Sequence, residues 1–453
     1  LSAETIGIST VAIGDNAGVA QNFGSHGSTY NTMVGSGAGF WNVTGTGNTY
    51  LGAGAGTGAS GNSNNNNTAV GNASLQNITT GNQNVALGGG AGNDITTGGS
   101  NVLLGYQAGD NITTKTGVIA IGSGAAGAIS TTGDYSIAIG HGAMGGAEVG
   151  DGNIAIGYQS MQNANAAGFH RNTALGYQTL ANVGSNGPDD TVAFGYQAGY
   201  NLRAGSKNTL LGSGAGYNIR DTFENVAIGY QALYTLESLG GDGYDFGQSR
   251  STAVGAYALH LAEDTGEVYA GNTAVGHSAG YRGGSNMQFG GNVYVGNNAG
   301  YWHDGGSSVF VGQGAGQNYM TGSYNVAIGR QAMRGFVTSS ATGNDNVVIG
   351  DQAGYYWKSS FNSVAIGHNA GYQGAGSRDN TLVGNNAGYN MSGSQQYNTY
   401  IGTGAGYGKN LGSNNVAIGK SALGGTDWKD LSSVNGDWSG NTAVGRRAGQ
   451  YAA

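Results

Sequence analysis

Asn225-Val226-Ala227-Ile228-Gly229-Tyr230-Gln231-Ala232-Leu233 reads as asparagine, a β-branched residue, a small residue, an aliphatic, glycine, two variable residues, alanine and a long aliphatic. The same phrase returns as Asn325-Val326-Ala327-Ile328-Gly329-Arg330-Gln331-Ala332-Met333, and in looser form about two dozen times along the chain. The glycine after the aliphatic, the turn glycine, falls at 71, 88, 105 and 122 with an unbroken step of 17 residues. Longer steps carry insertions. A fixed period of this length means stacked copies of one small unit, each burying its neighbour, and so a solenoid.

The residue types in the phrase set the unit. The aliphatic before the turn glycine and the β-branched residue two earlier stand at i and i+2, and so share one face of a strand. β-Branched residues favour strands, and no stretch holds a 3.6-residue period over three turns. The expectation is an all-β parallel β-roll with a strand of about four residues per coil and almost no helix. The i, i+2 pair is expected to be the buried one, with two inward side chains per repeat. The turn glycine ends the strand where a side chain would clash or φ must be positive. The Ala and Gly or Leu that follow read as a second short strand or a bend.

Seventeen residues at about 3.3 Å give a coil perimeter of roughly 56 Å, and about 24 coils at ~4.8 Å would form a rod on the order of 115 Å long. The asparagine four before the turn glycine (Asn31, Asn48, Asn67, Asn84, Asn101) is expected to stack on itself, each amide bonding the next. One internal trade stands out. A large residue two before the turn glycine goes with small ones just after it, as Met33 with Ser36-Gly37 and Phe310 with Gln313-Gly314. Ala at that place goes with Tyr-Gln, as at Ala155, Ala174 and Ala227. The two positions therefore share space.

Composition narrows the function. The chain of 453 residues has 93 glycines, one proline (Pro188), no cysteine and only 9% charged residues, with a net charge of −8. That sign and the absence of basic runs exclude a nucleic-acid partner. No apolar run approaches the ~18 residues of a membrane span, so no membrane insertion is expected in this segment. Without cysteine there is no disulfide frame and no thiolate metal site. Both ends read as cut from a larger array. The whole of 1–453 reads as one repeat array.

At Asn362-Ser363-Val364-Ala365-Ile366-Gly367 the repeat resembles the motif of the left-handed parallel β-roll heads of YadA-like trimeric autotransporter adhesins. The form Asn-Thr-Ala-Val-Gly, at Asn272–Gly276 and Asn441–Gly445, is similar to repeats of bacteriophage tail fibres and large surface adhesins. The resemblance covers residues 9 to 451. It implies a homotrimeric, left-handed fibre outside the cell, on a cell surface or a virion, that attaches to a host receptor or surface glycan. The period here is longer than the family's. The rival expectation is a structural filament in which rods join end to end without a ligand.

Function in solenoids sits in insertions on one face. The two longest span 234–249 and 425–440. The first holds Tyr234, Glu237, Asp242, Tyr244 and Asp245; the second holds Asp427, Trp428, Asp437 and Trp438. Aromatic faces beside carboxylates suit sugar, the ring covering C–H faces and the acid accepting from hydroxyls. These nine are the candidate ligand-binding residues; the alternative is that they seal the loops onto the roll. An aromatic also follows Ala-Gly at Tyr200, Tyr217, Tyr281, Tyr301, Tyr355, Tyr372, Tyr389 and Tyr407, and would form a column, either packing surface or ligand platform. His141, His277 and His368 share one phase without metal-ligand spacing. The glycine strings lack the helix that a phosphate loop needs. The sequence points to no cofactor, no metal and no enzyme.

Overall fold

The computed structural model describes residues 9–22, 27–127, 133–146, 150–163, 169–184, 187–203, 205–220, 222–237, 250–263, 271–283, 290–319, 321–335, 342–374, 376–391, 394–408, 411–424 and 439–449. The chain is an all-β parallel β-solenoid with a basic period near 17 residues, and no helix occurs among the described residues. It divides into two compact units, Leu1–Asp221 and Thr222–Ala453.

In the first unit the main ladder runs from the strand Val11–Ile13 to the strand Thr209–Leu211, each paired in parallel with the next. In the second it runs from Val226–Ile228 to Thr442–Val444. Every rung is three residues and pairs like with like: Val85 with Val102, Ala86 with Leu103, Leu87 with Leu104. That register leaves each phrase directly above its copy.

The faces are the reverse of the sequence expectation. The central residue of each strand points inward: Met33, Tyr50, Ala86, Leu103 and Phe310 are fully buried. The β-branched and aliphatic residues on either side point outward and remain part-exposed, Ile13 at 60%, Leu87 at 47% and Phe194 at 48%. One side chain per strand therefore enters the core, not two. The alternation was read correctly and assigned to the wrong side: the strand centre faces inward whether it is small, as Ala86, or large, as Tyr50.

The rest of the interior comes from the turn. After the turn glycine the chain bends, and four turns add the expected second short strand, at Asn218–Arg220, Thr235–Glu237, Leu261–Glu263 and Arg282–Gly283. The third and fourth residues on are buried, as Ala232 and Leu233, and so is the seventh where it is apolar, as Ile78, Ile95 and Ile112. Alternate bend residues take left-handed backbone, φ +56° at Ala73 and +49° at Leu75. Bend and loop are laddered as the strands are: Gly90 donates to the Asn72 carbonyl at 2.9 Å and Gly92 to that of Ala108 at 2.9 Å. Their backbone groups are satisfied from turn to turn.

Two columns make the stack one-dimensional and strict. The asparagine column bonds as expected. The Asn67 Oδ1 accepts from the Asn84 backbone N–H at 2.9 Å and from its Nδ2 at 3.1 Å, while Asn84 Nδ2 also donates to the Gly98 carbonyl at 3.0 Å. The turn glycines hold φ between +123° and +143°, as at Gly88 (φ +141°), where a Cβ would lie 2.4 Å from the Gly105 carbonyl oxygen. Clash and dihedral both demand glycine there.

The trade seen in the sequence is a packing rule, but its partner is the fourth residue after the turn glycine. A Cβ on Gly56 would meet the Tyr50 ring at 2.5 Å, and one on Gly316 the Phe310 ring at 2.3 Å. Where the strand centre is Ala69, Ala227 or Ala327, that fourth position holds Leu75, Leu233 or Met333. The core has room for one large side chain of this pair per turn.

Candidate functional site

Steps between turn glycines lengthen in the second unit at Gly229, Gly255, Gly276 and Gly296. After Leu233 the chain enters the short strand Thr235–Glu237. The next two turns do the same at Leu261–Glu263 and Arg282–Gly283. These pair in parallel, Glu237 level with Glu263 and Leu261 level with Arg282, so that the segments preceding the insertions of successive turns share one small second sheet.

At its base stands an aromatic stack. Tyr234 lies 5.1 Å from His260, His260 is 5.0 Å from Tyr281, and Tyr281 is 4.7 Å from Tyr301, with planes within 26° of parallel. All four occupy the fifth place after a turn glycine. Tyr257 sets its ring at 65–86° to Tyr230, His260, His277 and Tyr281, at 5.2–6.1 Å.

His260 is the distinctive group. Its Nδ1 stands 3.1 Å from the Gln231 carbonyl, which can only accept, so Nδ1 carries the proton and Nε2 presents a lone pair. Burial holds its pKa below the usual histidine value, partly offset by that bond to Gln231. The neutral ring sits between two tyrosines as an acceptor. The phase of Tyr281 and Tyr301, fifth after the turn glycine, also holds Tyr234 and His260; the Ala-Gly signal that marks the column misses them because Leu233 and Leu259 precede them.

Of the candidate residues read from the sequence, Tyr234 opens this stack and Glu237 ends the first strand of the outgrowth, three residues on. Asp242, Tyr244 and Asp245, and Asp427, Trp428, Asp437 and Trp438, lie outside the described residues. The expected tyrosine column is present. Tyr200 stacks on Tyr217 at 5.3 Å, and Tyr355, Tyr372, Tyr389 and Tyr407 stack in succession at 5.2, 4.9 and 5.1 Å. A second column, His141, Tyr158, Tyr177 and Tyr196, runs at 5.0–5.5 Å in the first unit. Stacked rings spend their faces on one another, so within a column they offer edges and hydroxyls rather than the open faces that cover sugar C–H groups.

The histidines of the shared phase are each taken up differently. His141 stacks on Tyr158, His277 meets Tyr257, and His368 Nε2 lies 3.8 Å from Asp351. No group of three or more His, Asp or Glu able to hold a metal occurs among the described residues, and none of their helices could cross a membrane, there being none. No protein-family profile matches the chain, and no curated protein shows significant similarity to it.

Proposed function

We propose that the chain is an extracellular attachment fibre, a homotrimer of left-handed β-rolls carried on a cell surface or a virion. The observation that carries this reading is the outward face of the strand ladder. Each rung presents two side chains there, nearly all Val, Ile, Leu or Thr, with Val85 at 37% and Leu51 at 47% exposure in a single chain. A contiguous apolar strip this long is a mark of an association surface. A second copy has the same rung spacing and matches it turn for turn. The trimeric β-roll heads that the repeat resembles supply the number three and the hand.

Recognition is assigned to the outgrowths. The Tyr234–His260–Tyr281–Tyr301 stack provides a rigid base for them. Glycan or a host receptor is the proposed partner, and three copies raise weak contacts to useful avidity. The test replaces 238–249 and 425–438 by short Gly-Ser linkers and measures binding of the oligomer to host cells and to a glycan array. The expected result is retained assembly with lost binding. Unchanged binding would remove recognition from both insertions.

A further inference from the structure

Tyr355, Tyr372, Tyr389 and Tyr407 come from four consecutive turns of the second unit and form one unbroken stack. Their planes are 17°, 1° and 5° from parallel, and all four rings are part-exposed. Tyr356 closes one side, edge-on to Tyr355 at 4.5 Å and to Tyr372 at 5.2 Å. The core does not use these rings. Other turns place Phe40, Gly145 or Gln317 at the same phase. The ladder repeats the backbone from turn to turn and so holds neighbouring rings nearly parallel, with centroids 4.9–5.2 Å apart.

We propose that this column is a site of oxidative cross-linking, in which tyrosines of adjacent turns couple to dityrosine and rivet the solenoid covalently along its axis. The oxidant is hydrogen peroxide acting through a haem peroxidase. Each of two stacked tyrosines gives up its phenolic hydrogen as a proton and an electron, leaving two phenoxyl radicals. These join by a carbon–carbon bond between ortho positions. Each joined carbon then passes its hydrogen to its own oxygen, restoring both phenols. Two hydrogen atoms leave in all, and one hydrogen peroxide takes them up as two waters. Burial, followed by the neighbouring phenols, pushes the Tyr372 phenol up to about 12, and burial and Tyr389 do the same for Tyr407. Those two phenols therefore stay protonated at neutral pH and bring no phenolate charge into the stack. The link fixes two residues one turn apart, which limits the unfolded chain as a disulfide does.

The full chain is treated with peroxidase and hydrogen peroxide, then digested and sequenced by mass spectrometry alongside dityrosine fluorescence. The expected products are intrachain links 355–372, 372–389 and 389–407. Tyr389→Phe keeps the ring and the stack, and is expected to abolish the last two links and spare the first, with an unchanged circular dichroism spectrum. The proposal is overturned if folded protein yields no more dityrosine than protein unfolded in urea. It is equally overturned if the links join separate chains, or if Tyr389→Phe leaves the pattern as it was.

Discussion

A single methyl group discriminates the turn glycines from an open bend glycine such as Gly37. Gly88→Ala would put Cβ 2.4 Å from the Gly105 carbonyl at φ +141°, while Gly37→Ala meets nothing within 4 Å at φ +68°. The first should cost about 3 kcal/mol or more, from clash and a dihedral reserved for glycine. The second should cost about 1 kcal/mol, the ordinary left-handed penalty. Hydrogen exchange of the peptides flanking each site reads both directly; equal protection losses would refute the distinction. His303 makes a second residue-scale case. It holds the seventh position that Ile78 and Ile95 hold elsewhere, fully buried, with Tyr294 Oη 2.8 Å from Nδ1 and the Gly322 carbonyl 2.7 Å from Nε2. The carbonyl fixes the proton on Nε2, so the tyrosine donates to Nδ1. Burial lowers its pKa to about 4, with the Gly322 bond opposing. An unfolded histidine titrates near 6.5, so between about pH 4 and 6.5 the unfolded chain binds more protons. The stabilisation is complete above about pH 6.5 and lost as pH falls toward 4, by up to roughly 3 kcal/mol. Urea midpoints across that range should fall with pH in the parent chain and stay flatter in His303→Ile. A parallel fall in both would place the acid sensitivity elsewhere.

Within one turn the controlling relation is the exchange of volume between the strand centre and the fourth residue after the turn glycine. Phe310→Ala alone leaves a cavity and should cost about 3–5 kcal/mol. Gly316→Met alone drives a side chain into the ring that a Cβ already meets at 2.3 Å. Together they recreate the Ala327 and Met333 pairing of the next turn, and the double variant should be more stable than the two single losses predict by more than about 1 kcal/mol. Additive losses in denaturant unfolding would contradict the shared-space account. This relation was half legible in the sequence. The anticorrelation was visible around Met33 and Phe310, but the partner was placed at the variable residues just after the glycine, which lie on the surface. The period, the turn glycine and the Asn67–Asn84 rungs were legible because each answers to one local demand repeated in most turns. Which face of the strand is inside was not. Alternation says that Val85 and Leu87 share a side, and hydropathy would bury them. The narrow coil instead admits Ala86 and leaves the larger pair outside. The seventh-residue column of Ile78, Ile95 and Ile112 was missed because only some turns fill it with an aliphatic. Of the candidate site, Tyr234 was found through its insertion, and His260 only through the stack.

For the whole molecule the decisive feature is that a chain with so thin an interior leaves two apolar or β-branched residues of each strand part-exposed. Each unit carries the same outward strip, from Ile13 to Phe194 in the first and from Ile228 to Val444 in the second. In the proposed fibre a partner of equal rung spacing covers that strip, and the attachment reading depends on it. Sedimentation of the purified chain over a wide concentration range, beside a Leu51→Asp, Leu87→Asp, Phe194→Asp variant, tests it most directly. The account predicts a discrete species of three chains whose mass does not change with concentration, reduced to folded monomer by the outward aspartates. A parent chain that stays monomeric, or one that grows without limit as concentration rises, would contradict it.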